Sequence, residues 1–260
     1  MTHRFDILNA ATLAYQSTWH ERNYLLRLAM VPIIAKIFLY YIASLYVEPS
    51  DVIKLSFYML PAYFLEGWMI AHWVRTLMTN HRWPFVPSGD LSKDSNEIQK
   101  RTKGIMRGAL AFVVVNFLMA GFFAFVFSYI PADFNPETAD PKYALFSLGV
   151  MTSMFFLFRF TWIYIPLCVG VSLNKYFDVS QKSLFTFRLI GLWFVCFIPT
   201  IIAMQIIGGV FAGMNGAGEL SPAIETVLIF VRVIFDTLKN IIVTAGIAYA
   251  LMEVLNWKKS

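Results

Sequence analysis

Six long apolar runs, each meeting or exceeding the ~20 residues that a helix needs to cross a bilayer core of about 30 Å, alternate with polar links along the chain. They cover roughly residues 25–47, 52–77, 106–130, 143–171, 188–211 and 223–255. The pattern predicts an all-α fold, a polytopic transmembrane bundle of six helices forming one membrane domain over residues 1–260. Ahead of the first run, residues 5–23 put Phe5, Leu8, Thr12, Tyr15 and Trp19 at helical spacing, with Asp6, Asn9, Gln16, His20 and Arg22 mostly elsewhere round the wheel. This segment is too polar to span. It is expected either to lie in the membrane interface, Trp and Tyr at headgroup depth, or to pack on the ends of the bundle. A second interfacial elbow, a loop plus an amphipathic turn over residues 174–187, is expected before the fifth run.

Composition narrows the class. The chain is 58% hydrophobic and only 14% charged, against roughly a quarter charged in a soluble domain, which leaves a multi-pass membrane protein. No short apolar core with a small-residue cleavage site precedes the first run, so no signal peptide is expected. The excess of 21 Lys plus Arg over 16 Asp plus Glu is read through its placement between loops, not as a nucleic-acid footprint. With both termini on one side, that side collects Arg4, Arg22 and Arg27, the basic stretch from Arg75 to Arg107, Lys175, Lys182 and Arg188, and Lys258 and Lys259. The other side holds Lys54 and Lys142. By the positive-inside rule both termini are expected to be cytoplasmic. The basic stretch doubles as a candidate site for anionic lipid headgroups.

Charge inside the runs carries the functional question, because an ionised group at membrane depth costs several kcal/mol unless it is paired or wet. Lys36 and Glu66 fall near the middle of two adjacent antiparallel runs and are expected to form a buried ion pair. Arg159 sits inside the fourth run and needs a partner, with Glu66, Asp236 or neither left open. Arg232 and Asp236 are four residues apart on one helical face, and Lys239 is three beyond Asp236, so that face should turn away from lipid. Asn116 and Gln205 add polar groups in the third and fifth runs. Pro32, Pro61, Pro166 and Pro199 are expected to break four of the helices. Lys36, Glu66, Arg159, Arg232, Asp236 and Lys239 are therefore the candidate polar core, net cationic and suited to an anionic ligand.

Catalytic patterns are absent: no HExxH, GxSxG or Walker loop, and no paired-carboxylate constellation. No enzyme activity, metal or cofactor is expected. Cys168 and Cys196 read as packing residues, and His72 and His81 carry no assigned role.

Arg159, then Pro166, then an interfacial stretch with Ser183, Thr186 and Arg188 leading into a new run resembles a group of uncharacterised bacterial six-helix inner-membrane proteins. That group is similar to the membrane domain attached to some glycerophosphodiester phosphodiesterases. The amphipathic segment before the first run and HWVRTLMTNHRWP after the second fit the same layout. The resemblance implies a bacterial inner membrane and a six-helix bundle with two interfacial elbows, and it brings no activity. Lys36, Glu66 and the Arg232, Asp236, Lys239 face lie outside it. The function expected is binding or translocation of an anionic or amphipathic molecule such as a lipid. The alternative is an accessory or assembly subunit of a larger membrane complex.

Overall fold

A computed structural model describes residues 5–48, 51–129, 141–214 and 222–255, and every regular element among them is helical. In chain order these are α1 (Ile7–His20), α2 (Arg22–Tyr46), α3 (Val52–Thr79), α4 (Leu91–Ser128), α5 (Pro141–Phe158), a 3-10 turn (Arg159–Trp162), α6 (Tyr164–Val169), α7 (Leu173–Ser180), α8 (Ser183–Met214) and α9 (Pro222–Val254). Asp6, Asp51, Asp90 and Ser172 cap α1, α3, α4 and α7, their side-chain oxygens accepting from backbone N–H groups of the first turn that no helical carbonyl can reach.

Four helical stretches are long and apolar enough to cross a membrane: Arg22–Tyr46, Leu91–Ser128, Leu145–Val169 and Ser183–Val210. The chain is thus compatible with a membrane location. Its surface agrees, since large apolar side chains point outward at helical spacing: Leu26, Met30, Ile34, Phe38, Tyr41 and Leu45 on α2, and Phe194, Ile198, Ile202, Ile206 and Val210 on α8. α3 and α9, of 28 and 33 residues, have the length to span, about 42 and 50 Å at 1.5 Å per residue. They also carry the charged residues that make them less apolar.

α3 runs through the centre, packed against α2, α4, α6 and α9, and Met69, Ile70, Ala71, Trp73 and Val74 on it are fully buried. Trp73 Nε1 donates to the Ile241 carbonyl of α9 at 3.2 Å, which satisfies a buried indole N–H across two helices. Small residues set the closest approaches. A Cβ on Gly67 would stand 2.9 Å from the Ala109 carbonyl oxygen, one on Gly104 2.6 Å from the Cys168 carbonyl oxygen, and one on Gly108 2.2 Å from Cys168 Sγ. Gly104 and Gly108 form a GxxxG pair on α4 that lets α6 lie against its backbone.

Three expectations change. α4 is one helix of 38 residues, about 57 Å long, so the basic stretch KRTKGIMR is its N-terminal part and not a separate polar segment. With Asp90 capping the start and no proline between residues 91 and 128, nothing interrupts it. Pro32, Pro61 and Pro199 lie inside continuous helices. Among the described residues only the fourth run is broken, and the break precedes its proline: Pro166 sits in the first turn of α6, where a missing N–H costs nothing. In place of the expected loop plus amphipathic turn over residues 174–187, the chain forms the short helix α7, and α8 begins at Ser183, five residues before the predicted start. Cys168 and Cys196 are buried free thiols.

α1 packs on α8 and α9 through Ala10, Ala11, Ala14 and Thr18, while Leu8 and Trp19 of the predicted apolar stripe point outward. The docking face is the small-residue face: Ala14 lies opposite Gly246, whose added Cβ would come to 3.7 Å of it. Arg188 Nη1 donates to the Phe5 carbonyl at 2.6 Å and fixes the start of α8 to the chain just before α1.

Candidate functional site

Lys36 of α2, Glu66 of α3 and Asp236 of α9 meet in the interior although their positions span 200 residues of chain. Lys36 Nζ lies 2.7 Å from Glu66 Oε2 and 2.8 Å from Asp236 Oδ2, and Lys36 and Glu66 are 2% and 1% exposed. The second oxygen of each acid is also used. Lys239 Nζ pairs with Asp236 Oδ1 at 2.5 Å, and Asn240 Nδ2 donates to Glu66 Oε1 at 2.9 Å. Asp236, Lys239 and Asn240 share one face of α9 because they follow one another at three- and four-residue spacing. Buried charge is tolerated here because the carboxylate oxygens are matched by three donors, Lys36 from α2 and Lys239 and Asn240 from α9.

The network opens on one side. Asp236 and Lys239 side chains are 37% and 25% exposed, and with Arg232 and Tyr40 they line a cleft of about 240 Å³ between α2, α8 and α9. Its remaining wall is mostly apolar, with Phe197, Ile201, Met204, Val233 and Phe235. Lys239 Nζ also stands 5.8 Å from the centre of the Phe197 ring. Among the described residues no carboxylate lies within ion-pairing distance of Arg232. The two lysines and two acids balance, so the excess cation sits at the mouth of the cleft, not in the core.

Arg159 is not part of this cluster. The 3-10 turn places it beside α7, where Nη1 donates to the Ser180 carbonyl at 3.1 Å and the guanidinium lies over the rings of Phe160 and Phe156, at 5.0 and 5.6 Å. Tyr176 OH donates in turn to the Arg159 carbonyl. A cation on the last carbonyls of a helix is favoured by the helix dipole, so Arg159 pairs with neither Glu66 nor Asp236 and holds the α7 elbow. Asn116 bonds the Phe112 carbonyl of its own helix at 2.8 Å, and Gln205 is exposed on α8, so neither joins the network.

A second polar assembly lies at the far end of α3. Arg75, 8% exposed, donates from Nη1 to the Cys168 carbonyl at 2.9 Å and from Nη2 to His81 Nδ1 at 3.2 Å. An accepting Nδ1 places the His81 proton on Nε2, which faces Glu97 Oε1 at 3.3 Å. Partial burial, with Arg101 and Arg75 adding like-charge repulsion, lowers the His81 pKa and keeps the ring neutral. Glu97 Oε1 also accepts from Arg101 Nε at 3.0 Å.

Asn240 was not among the candidate residues, although its position four after Asp236 is the signal that places it on the same face. Comparison with known protein families, with curated proteins and with solved structures finds no match for this chain.

Proposed function

We propose that this chain is a non-enzymatic, six-span protein of a bacterial inner membrane, with both termini cytoplasmic, that binds or translocates an anionic or amphipathic molecule such as a lipid. α3 and α9 supply the two spans beyond the four apolar stretches, and α1 and α7 lie in the interface. Kinship with the six-helix inner-membrane group is part of the same reading. The observation that carries it is the cleft at Arg232, where a cation without a carboxylate partner among the described residues borders a mostly apolar wall, backed by a charge-balanced network. An anionic headgroup at Arg232 and an apolar chain along Phe197, Ile201 and Met204 would satisfy both halves of the cleft.

The test is native mass spectrometry of the protein extracted in lipid-retaining polymer particles. Wild-type protein should carry an anionic lipid that Arg232→Gln loses and Arg232→Lys partly keeps. The same lipid retained in full by both Arg232→Gln and Lys239→Gln would sink the reading. One observation favours the accessory-subunit alternative: Arg232 is exposed on α9, so an acidic group on a partner's helix could pair with it. A stoichiometric protein in the same spectra, lost in Arg232→Gln, would establish that alternative.

A further inference from the structure

The assembly at the end of α3 forms a two-part site that is separate from the Arg232 cleft. Glu66 and Arg75 are nine residues apart on α3, about 13 Å along the axis. Two cavities meet at Arg75, His81 and Arg101, which line both. The larger, about 810 Å³, is bordered by Arg75, Lys93, Lys100, Arg101, Lys103 and Arg107 against a single carboxylate, Glu97. Glu97 is engaged by Arg101 and His81, and Asp90 pairs with Lys93 at 3.2 Å. Arg75 is buried and bonded to a carbonyl and an imidazole, and among the described residues no carboxylate lies within ion-pairing distance of it.

The smaller cavity, about 160 Å³, has a mostly apolar, aromatic surface from Trp68, Trp83, Phe85, Ile98 and Met106, with Arg75, Arg82 and Arg101 at its border. Trp68, His72 and Trp83 face one another with ring centres 4.6 to 6.2 Å apart, and Arg101 lies over Phe85 at 4.7 Å. Arg101 therefore stands where the cationic and the aromatic parts join. The helix geometry explains why: residues 97, 101 and 104 repeat at four- and three-residue spacing along α4, and Gly104 lets Arg75 and α6 approach, since an added Cβ there would be 3.0 Å from Arg75 Nη1.

From this juxtaposition of uncancelled cations with an aromatic box we propose that the cleft between the end of α3, the first five turns of α4 and the end of α6 binds a phosphate-bearing amphiphile. The phosphate sits among Arg75, Lys100, Arg101, Lys103 and Arg107, and the adjoining apolar part enters the box of Trp68, Trp83 and Met106. Guanidinium groups present paired donors that match phosphate oxygens. The assignment rests on the membrane placement proposed above, but not on the Arg232 cleft.

The experiment uses full-length protein in phosphatidylcholine nanodiscs doped with phosphatidylglycerol brominated on its acyl chains, which quenches nearby tryptophan. The variants are Lys100→Gln/Lys103→Gln/Arg107→Gln, whose side chains are exposed so that folding is spared, Trp83→Leu, and Lys175→Gln/Lys182→Gln as a charge control. At about one kcal/mol of attraction per surface cation, the triple variant should bind roughly a hundredfold more weakly, and the control should match wild type. Trp83→Leu should lose the quenching component. Soluble glycerol 3-phosphate, which has the phosphate without the chain, should compete only weakly. Equal affinity of wild type and triple variant would overturn the site. Glycerol 3-phosphate binding as tightly as the lipid would overturn the amphiphile and assign the cleft to a free phosphate ester. Arg232→Gln should leave quenching intact, so failure of the other cleft is distinguishable from failure of this one.

Discussion

Lys36→Met is the most informative single change, because it removes the one cation shared by the buried Glu66 and the partly exposed Asp236. Each Lys36 contact, at 2.7 and 2.8 Å, is worth about 6 kcal/mol of Coulomb attraction at an effective dielectric of ~20, most of it offset by the cost of holding the three charges out of water. Without Lys36, Asp236 keeps Lys239, but Glu66 keeps only Asn240 at a site 1% exposed. Breaking a buried pair in this way costs about 3–5 kcal/mol. Lys36→Met/Glu66→Gln should recover most of that loss, since the neutral amide can still accept from Asn240 and no charge is stranded. The charge swap Lys36→Glu/Glu66→Lys should fail. It sets a carboxylate at position 36 against Asp236, so the geometry that would restore a simple pair creates a like-charge contact in this triad. Thermal unfolding in a neutral detergent, followed by near-ultraviolet circular dichroism and by the monodisperse fraction after heating, would rank the four proteins. Wild type and the double neutral variant should be close, and Lys36→Met and the swap well below. A swap as stable as wild type would show that Asp236 does not share Lys36, and the network argument would fall.

Three further outcomes follow from the geometry. Gly108→Ala should destabilise by about 1–3 kcal/mol through overpacking and be rescued by Cys168→Ala, which removes the Sγ that the new methyl would strike, whereas Gly104→Ala meets the Cys168 carbonyl and should not be rescued; melting temperatures of the two single and two double variants decide it. Arg159→Met should cost about 1–2 kcal/mol through the lost charged bond to Ser180 and raise amide exchange over Leu173–Ser180 without changing exchange around Glu66. Because the folded-state pKa of His81 is lowered, the unfolded chain binds more protons once the pH drops through its ordinary value of about 6.5. Stability should therefore be flat above that pH and fall below it, and His81→Gln should remove that part of the slope in melts between pH 5 and 7.5.

The helices were legible in the sequence because hydropathy and spacing are local properties. Residues 25–47 and 223–255 return as α2 and α9 within a few positions, and the matching depth of Lys36 and Glu66 was enough to place them together. What stayed hidden depended on which helix lies beside which. Depth alone could not choose a partner for Arg159, since the break before α6 turns it to Ser180 and away from both acids. The alanine face of α1 escaped a reading keyed to large apolar residues, although small side chains make the closest contacts. The continuity of α4 was missed because a polar stretch beside a span reads as a loop, while a helix whose backbone is satisfied internally continues into water regardless of its side chains.

By itself, then, the sequence determined an all-helical chain with apolar stretches fit for a membrane and charges within them that needed a partner or a wet cleft, because both follow from the cost of exposing polar groups to hydrocarbon. Only the tertiary structure decided that Lys36 bridges Glu66 and Asp236, that Asn240 completes the set, and that the basic end of α4 meets an aromatic box. Such contacts join residues far apart in the chain, and their energies depend on distances of a few ångströms that no one-dimensional pattern encodes.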